Sequence, residues 1–385
     1  MDSAQSLYNY EYIWAQIHKL IMTTKHYTPE ELKKVDPVFG QFSFNGHEQI
    51  VFCHDKDSGL KAIIGIHNTV LGPALGGTRM WHYNSEWEAL NDVLRLSRGM
   101  TYKSAISGLD LGGGKAVIIG NSKTAKTPEM IKAFAKYVHS LSGRYITAED
   151  VGTTTPDMDL IRSITPHVTG ISESLGGSGN PSPVTAYGVF MGLKAATKFK
   201  FGSDELGGKK VLVQGIGNVG ETLVKHLTNE GAEVYITDLS EERVAEVAQK
   251  YQAKAFTGDV YSADVDIYAP CALGATINDD TIEKIKAQVI AGAANNQLAD
   301  EQKHGKRLQE RGIVYAPDFL INAGGIINVF GEIANYGSEE ALRRTENIYN
   351  TTLDILNYAQ QHNVTANQAA MKKAEDRIDA KKNGK

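Results

Sequence analysis

Apolar residues recur along the chain in two different rhythms. From about residue 48 to 120, short strand-like runs surround one long helical face. "QIVFC" (49–53) and "LKAIIGIH" (60–67) are rich in branched apolar residues and predict strands. In "EWEALNDVLRLSRGMTYKSA" (86–105), Leu90, Val93, Leu94 and Met100 fall at helical spacing and predict an amphipathic helix. "KAVIIG" (115–120) predicts a buried strand, followed by a helix over 128–141 and a strand, "RYITAED", that ends at Asp150.

A second rhythm begins near 180. "PVTAYGVFMGLKAATKF" predicts a helix, "KKVLVQGIGNVGETLVKHLTNEG" a strand, turn and helix, and "AEVYITD" a strand. "VDIYAP", "AQVIAG" and "IVYAPD" are short apolar runs closed by turn residues. Strands alternating with helices predict a parallel sheet covered on both faces. The tail from about 338 is helical again and is expected to pack back onto the front of the chain. The expected division is therefore 1–175 plus 340–385 as one domain and 176–339 as the other. At the start, Ile13, Trp14, Ile17, Leu20 and Ile21 recur at helical spacing, which fits a short amphipathic helix; a true start at Met22, with this segment as extra translated sequence, is the alternative. Asp2 and Glu11 in that segment, with no basic start or small-residue cleavage site, argue against a secretory leader.

Composition narrows the class. A chain of 385 residues, 42% hydrophobic and 22% charged, is long enough for two cores of ordinary globular character. A net charge of -5 gives no general attraction to nucleic acid or anionic membranes, and no apolar stretch is long enough to span a bilayer. The 2 cysteines, Cys53 and Cys271, cannot build a disulfide framework, which favours a reducing, cytoplasmic setting. The 11 histidines show no metal-binding spacing, so no metal site is expected.

The clearest chemical signal is "VLVQGIGNVG". Gly215, Gly217 and Gly220 form G-x-G-x-x-G between a predicted strand and helix, and the next strand ends at Asp238. Such a turn lets a pyrophosphate approach the helix start, where N–H groups and dipole favour its charge. Gly215, Ile216, Gly217, Asn218, Val219 and Gly220 are the expected cradle. Asp238 can accept from a ribose hydroxyl and repels a 2′-phosphate, which favours NAD over NADP. The other glycine–lysine stretch, "LDLGGGKAVIIG" (109–120), is not a phosphate loop: Leu109 and Ala116 stand where the motif needs glycine and a hydroxyl. Its glycines are expected to leave Lys115 open to close approach of a substrate.

Taken together, "GGTRM", "GMTYKSA", "GGGKA", "TAEDVG", "SGNPSPVTAYGV", "QGIGNVG", "APCALGA", "AGAANNQL" and "YAPDFLINAGGIINV" resemble the glutamate/leucine/phenylalanine/valine dehydrogenase family. The resemblance runs from about Gly46 to the last helices and is strongest to the leucine branch. It implies an α/β fold of two domains, an N-terminal α/β substrate domain and a Rossmann-type dinucleotide-binding domain facing it across a cleft. It also implies NAD-dependent, reversible oxidative deamination of an L-amino acid, and a homo-octamer.

By that resemblance Lys115 is the catalytic lysine, Asp150 shuttles protons at the substrate nitrogen, and Lys103 binds the substrate carboxylate. Leu75, Gly76, Gly77, Met100, Ala148, Ile326 and Val329 complete the substrate site. Thr185 and Asn296 meet the nicotinamide end, with Cys271, Ala272, Asn295 and Asn322 in matched cofactor motifs. The glycines of "INAGGIINV" are expected to let backbone approach the ligand. Leu75 stands where the glutamate branch has a lysine, so a second substrate carboxylate would be buried unpaired. Ala148 and Ile326 narrow a pocket that a ring would need wide. Branched aliphatic substrates (leucine, valine, isoleucine) follow; valine- or phenylalanine-directed siblings and a non-catalytic NAD-binding sensor are the alternatives.

Overall fold

The computed structural model describes residues 45–384, so the helix expected at 13–21 lies outside the described residues. The first layer is built from β1 (Gln49–Asp55), β2 (Leu60–Asn68), β3 (Ala74–Trp81), α1 (Glu86–Ile106), β4 (Gly112–Ile119), α2 (Pro128–Ser140), β5 (Tyr145–Glu149) and α3 (Thr155–Arg162). These strands form a mixed sheet in the order β1-β2-β4-β3-β5. β1, β2 and β4 are antiparallel neighbours, while β3 runs parallel to both β4 and β5. Helix α1 starts where Ser85 accepts from the Glu88 N–H, with Glu86 and Glu88 in its first turn and Lys103 in its last, matching the helix dipole.

Two features differ from the sequence reading. β3, "ALGGTRMW", is a central strand despite its paired glycines. The glycines are what let it sit there: a Cβ on Gly76 would lie 1.7 Å from the Gly114 oxygen, and one on Gly77 would lie 2.8 Å from the Asp150 Cβ. The run before Lys115 is also strand, and its glycines do not open it to ligand. Added Cβ atoms would meet the Asn68 oxygen at 1.9 Å from Gly112, the Thr101 nitrogen at 2.1 Å from Gly113 and the Tyr145 ring at 2.7 Å from Gly114. Those glycines let β4 press against α1 and its neighbouring strands, which seats Lys115 deeply.

The second layer comprises α4 (Ser182–Phe201), β6 (Lys210–Gln214), α5 (Asn218–Asn229), β7 (Glu233–Thr237), α6 (Glu241–Tyr251), β8 (Lys254–Ala255), β9 (Ile267–Pro270), β10 (Val289–Ile290), α7 (Glu301–Glu310) and β11 (Val314–Tyr315). α8 (Asp318–Ile321), α9 (Gly324–Ala334), α10 (Ser338–Glu346), α11 (Ile348–His362) and α12 (Ala366–Lys382) complete the chain. The sheet is parallel throughout, ordered β11-β10-β9-β6-β7-β8. The chain leaves β6 toward β7 on one side and returns to β9 on the other, which creates a crevice at the ends of β6 and β9. The molecule is thus a two-domain α/β fold with a Rossmann-like parallel sheet.

The tail does return to the front layer. Tyr102 of α1 donates to Glu375 at 3.0 Å, and Arg377 donates to the Leu109 oxygen at 2.6 Å and to Asp110 at 2.9 Å. One apolar core runs without a break from Leu75 and Ile146 of the first sheet to Val189, Leu193 and Ile321 of the second layer. No helix of the described residues is long and apolar enough to cross a membrane.

Candidate active site

Strand alternation places Lys115 of β4 inward, and it is only 5% exposed. Its Nζ donates to Oδ2 of Asp150, the residue immediately after β5. The other oxygen of Asp150, Oδ1, accepts the Val151 N–H at 2.6 Å and Nε of Arg79 at 3.3 Å. Arg79 also donates to Asp92 of α1 at 2.9 Å, and Asp92 accepts the Tyr83 hydroxyl at 2.8 Å. Burial pushes the Asp150 carboxyl up, but Lys115 and Arg79 more than offset this and hold it at about 2. Asp150 is therefore an ionised carboxylate with a fixed orientation.

Lys103 projects from the last turn of α1 toward the same space. Burial brings its ammonium down to about 8; Asp318 and Asp150 support the charge, and Lys115 opposes it. The three groups open on a cleft of about 650 Å³. On the front side Leu75, Gly76, Gly77, Met100 and Ala148 line it with Lys103, Lys115 and Asp150. Asn218, Ile326 and Val329 line it from the second layer. All the expected substrate-side residues are thus brought together. Leu75 is also fully buried in the continuous core, so it serves packing and cleft at once.

Of the residues expected to meet the cofactor, Thr185 lies in the first turn of α4 and the others follow β6, β7, β9, β10 and β11; Asn218 apart, all lie outside the lining of this cleft. The three motif glycines have separate reasons. Gly215 has φ +92°, and a Cβ there would come within 2.7 Å of Ala272. A Cβ on Gly220 would lie 2.0 Å from the Gly215 oxygen, so this glycine lets α5 start against the turn. At Gly217 a Cβ would meet nothing within 4 Å. Gly217 is also the N-cap of α5 with no side-chain cap, and Val219 lies in the helix's first turn, leaving N–H donors facing open space. That cradle fits a pyrophosphate. Asp238 is fixed beside it, accepting the Ile216 N–H at 2.9 Å and the Ser240 N–H at 3.2 Å.

At the other end, Asn322 donates to Asn295 at 2.8 Å and to the Ala293 oxygen at 3.1 Å. Its own Oδ1 is buried without a partner among the described residues, an acceptor that a ligand amide would satisfy. Asn296 adopts φ +51° in the same loop. Cys271 accepts the Ala293 N–H at 3.4 Å, and burial pushes its thiol up to about 12, which disfavours the thiolate. Thr185, in the first turn of α4, donates to the Pro181 oxygen at 2.9 Å. Of the glycines in "INAGGIINV", Gly325 lines the cleft as expected, while Gly324 does not: a Cβ there would lie 2.1 Å from the Val184 oxygen, so it serves helix packing.

Sequence reasoning missed three parts of this site. Arg79 was visible only as part of "GGTRM", and Asp318 only as the close of a strand. The third is Glu332 of α9, which accepts the Gly170 N–H at 3.0 Å, the Ser178 N–H at 2.9 Å and the Ser178 hydroxyl at 2.7 Å. It fixes the segment that passes along the cleft between the two layers.

Residues 47–167 match the family model for the Glu/Leu/Phe/Val dehydrogenase dimerisation domain. Residues 176–242 and 235–384 match the model for glutamate/leucine/phenylalanine/valine dehydrogenase. The chain is 57% identical to a leucine dehydrogenase of Bacillus subtilis (strain 168), covering 86% of this chain and 92% of that enzyme. It is 47% identical to a phenylalanine dehydrogenase of Caldalkalibacillus thermarum (strain TA2.A1), covering 86% and 91%. The crystal structure of L-tryptophan dehydrogenase from Nostoc punctiforme superposes with a TM-score of 0.79 at 46% identity, covering 88% of this chain and 97% of that one. With a buried lysine–carboxylate pair in the cleft and both halves matched in order, the chain belongs to the glutamate/leucine/phenylalanine/valine dehydrogenase family and is a dinucleotide-dependent amino acid dehydrogenase.

Proposed function

We propose that this enzyme catalyses NAD-dependent, reversible oxidative deamination of branched-chain L-amino acids, with leucine, valine and isoleucine as substrates. An L-amino acid, water and NAD⁺ give the 2-oxo acid, ammonium, NADH and a proton. The observation that carries this reading is the cleft itself: Lys103, Lys115 and Asp150 cluster in a space otherwise walled by Leu75, Met100, Ala148, Ile326 and Val329. The clustered charges suit an α-amino acid head group, and the apolar walls suit an aliphatic side chain.

In this reading the Lys103 ammonium holds the substrate carboxylate. Lys115, aimed by Asp150, stabilises charge that develops on the oxygen of the hydrated intermediate. Asp150 takes a proton from the substrate nitrogen and returns it in the reverse direction; Arg79 keeps its carboxylate turned to the cleft. A nicotinamide bound at the second sheet would accept hydride from the substrate Cα. Gly215, Ile216, Gly217, Asn218, Val219 and Gly220 would cradle the pyrophosphate. Asp238 would take the ribose hydroxyls, and its fixed negative charge beside the turn supports NAD over NADP. Thr185, Cys271, Ala272, Asn295, Asn296 and Asn322 would surround the nicotinamide end.

Leu75 disfavours glutamate, because its second carboxylate would be buried without a cation at a cost of roughly several kcal/mol. The tryptophan and phenylalanine enzymes among the relatives support a second reading, an aromatic substrate. Ala148 and Ile326 in the cleft favour the aliphatic one. Parallel assays of NADH oxidation with ammonia and 4-methyl-2-oxopentanoate, phenylpyruvate or 2-oxoglutarate separate them. Preference for the first acid supports the proposal, and dominance of either other acid overturns it.

We also propose a division of the chain into a substrate and assembly domain (1–175 plus 340–385) and a dinucleotide domain (176–339). The packing of α12 on α1 supports the returning tail. A homo-octamer in the cytoplasm completes the reading; the front half's match to a dimerisation domain supports assembly, and two free cysteines suit a reducing compartment.

A further inference from the structure

The apolar walls of the cleft come from different layers: Ala148 belongs to β5 of the front sheet, Ile326 and Val329 to α9. Glu332 follows Val329 by three residues, about one turn further along the same side of α9. Its carboxylate gathers three donors. The Gly170 N–H lies 3.1 Å from Oε1 and 3.0 Å from Oε2, and Oε1 also accepts the Ser178 N–H at 2.9 Å and the Ser178 hydroxyl at 2.7 Å. Asn328, buried on the same helix, donates Nδ2 to the Ser178 carbonyl oxygen at 3.3 Å and to its hydroxyl at 3.1 Å. Gly170 is itself tied to the front layer on both sides. The Thr169 N–H donates to the Thr147 oxygen at 2.9 Å, and the Ser172 N–H donates to Asp159 of α3 at 2.8 Å. The Gly177 N–H donates to the Ser172 oxygen at 3.0 Å, so 172–177 closes into a loop whose neck, Gly170 and Ser178, meets at one carboxylate. Among the described residues, Glu332 is the only member of α9 that hydrogen-bonds to Gly170.

We propose that Glu332 is a positioning residue that sets the width of the side-chain pocket: it clasps α9 to the Gly170 turn and so fixes Ile326 and Val329 relative to Ala148. The inference rests on the reading of those three residues as walls of the substrate side-chain pocket. The path from one wall to the other is short. Ala148 is bonded to Thr147, whose oxygen holds Thr169; Gly170 comes next, then the carboxylate of Glu332, then one helical turn back to Val329. Its non-covalent links are directional hydrogen bonds, which hold orientation as well as distance. Helix α9 otherwise packs chiefly on α4 and α10, neither of them part of the first layer. Removing the carboxylate therefore frees α9 to move away from β5, and the widened slot admits a ring where a branched aliphatic chain fits now.

The test uses the full-length enzyme with ammonia and NADH, and compares kcat/KM for 4-methyl-2-oxopentanoate with kcat/KM for phenylpyruvate. For Glu332→Ala we expect the ratio of the first to the second to fall ~10-fold, the scale on which a pocket discriminates a small change of size. Glu332→Gln keeps the length and one acceptor but turns an NH2 group toward donors, so an intermediate fall is expected. NADH affinity should stay within ~3-fold of the parent in both variants. A carboxylate needed only for stability would lower the melting temperature and leave the ratio unchanged, and that result overturns the inference. A raised ratio, or a fall in NADH affinity that matches the fall in ratio, overturns it as well. Ala148→Gly separates the inference from the reading beneath it, because it removes a methyl from the opposite wall. If Ala148→Gly lowers the ratio but neither Glu332 variant does, the inference fails and the pocket reading stands. If Ala148→Gly leaves the ratio unchanged, the pocket reading fails and takes the inference with it. Should Glu332→Ala not fold, Glu332→Gln decides: a lowered ratio supports the clasp, and an unchanged one refutes it.

Discussion

Arg79 donates its Nε to Oδ1 of Asp150 at 3.3 Å, so the carboxylate presents only Oδ2 to Lys115. The orientation of the proposed proton carrier is thus set by a residue that lies on a different strand and is itself anchored on Asp92. Arg79→Lys removes the planar fork that spans two carboxylates. We predict that kcat falls ~10–100-fold, because small misplacements of a reacting group are costly, while NADH binding is retained. A steady-state assay with a fluorescence titration of NADH checks this; unchanged kcat would remove Arg79 from the site.

The glycine turn makes a sharper prediction. Gly217→Ala places a Cβ where no protein atom lies within 4 Å, and its φ of -65° suits any residue. The fold should be as stable as the parent, yet NADH affinity should drop ~10-fold or more as the methyl occupies pyrophosphate space. Gly220→Ala should instead lower the melting temperature, since its Cβ would lie 2.0 Å from the Gly215 oxygen. Thermal melts and NADH titrations of both variants separate the two roles.

Acid should weaken the fold through His67. The ring is buried, with Nδ1 against the Thr101 hydroxyl at 2.8 Å and Nε2 against the Asn45 oxygen at 2.9 Å. Burial and the nearby His47 bring it down to about 4. The unfolded chain therefore binds a proton that the folded chain refuses between about pH 6.5 and 4. Stability is complete above that window and should fall by up to ~3 kcal/mol as pH drops through it. Urea unfolding at pH 7 and 4.5 measures the slope, and His67→Asn should flatten it.

Leu75→Lys tests the pocket. Leu75 is fully buried, so the variant should melt earlier, and it should gain measurable turnover of 2-oxoglutarate by pairing the second carboxylate. Reduced stability with no such gain would weaken the specificity reading.

Much of this was legible in the sequence because it is local. Lys115, Asp150 and Gly215 to Gly220 sit in short motifs with fixed neighbours, and the parallel sheet follows from strand–helix alternation. What was not legible depends on distant contacts. Arg79 meets Asp150 across 71 positions, and Glu332 reaches Gly170 across 162, so periodicity gives no hint of either. The glycines were visible and misjudged at two places. At 112–114 and at 324 the space each leaves is filled by protein, whereas at Gly217 it is not. Sequence tells that a side chain is missing; only the fold tells what takes its place.

The most direct test of the central pair is Lys115→Ala, assayed for reductive amination of 4-methyl-2-oxopentanoate alongside NADH binding. The account predicts a folded protein that binds NADH with near-parent affinity and turns over at least ~1,000-fold more slowly. A folded variant with parent-like turnover would contradict it.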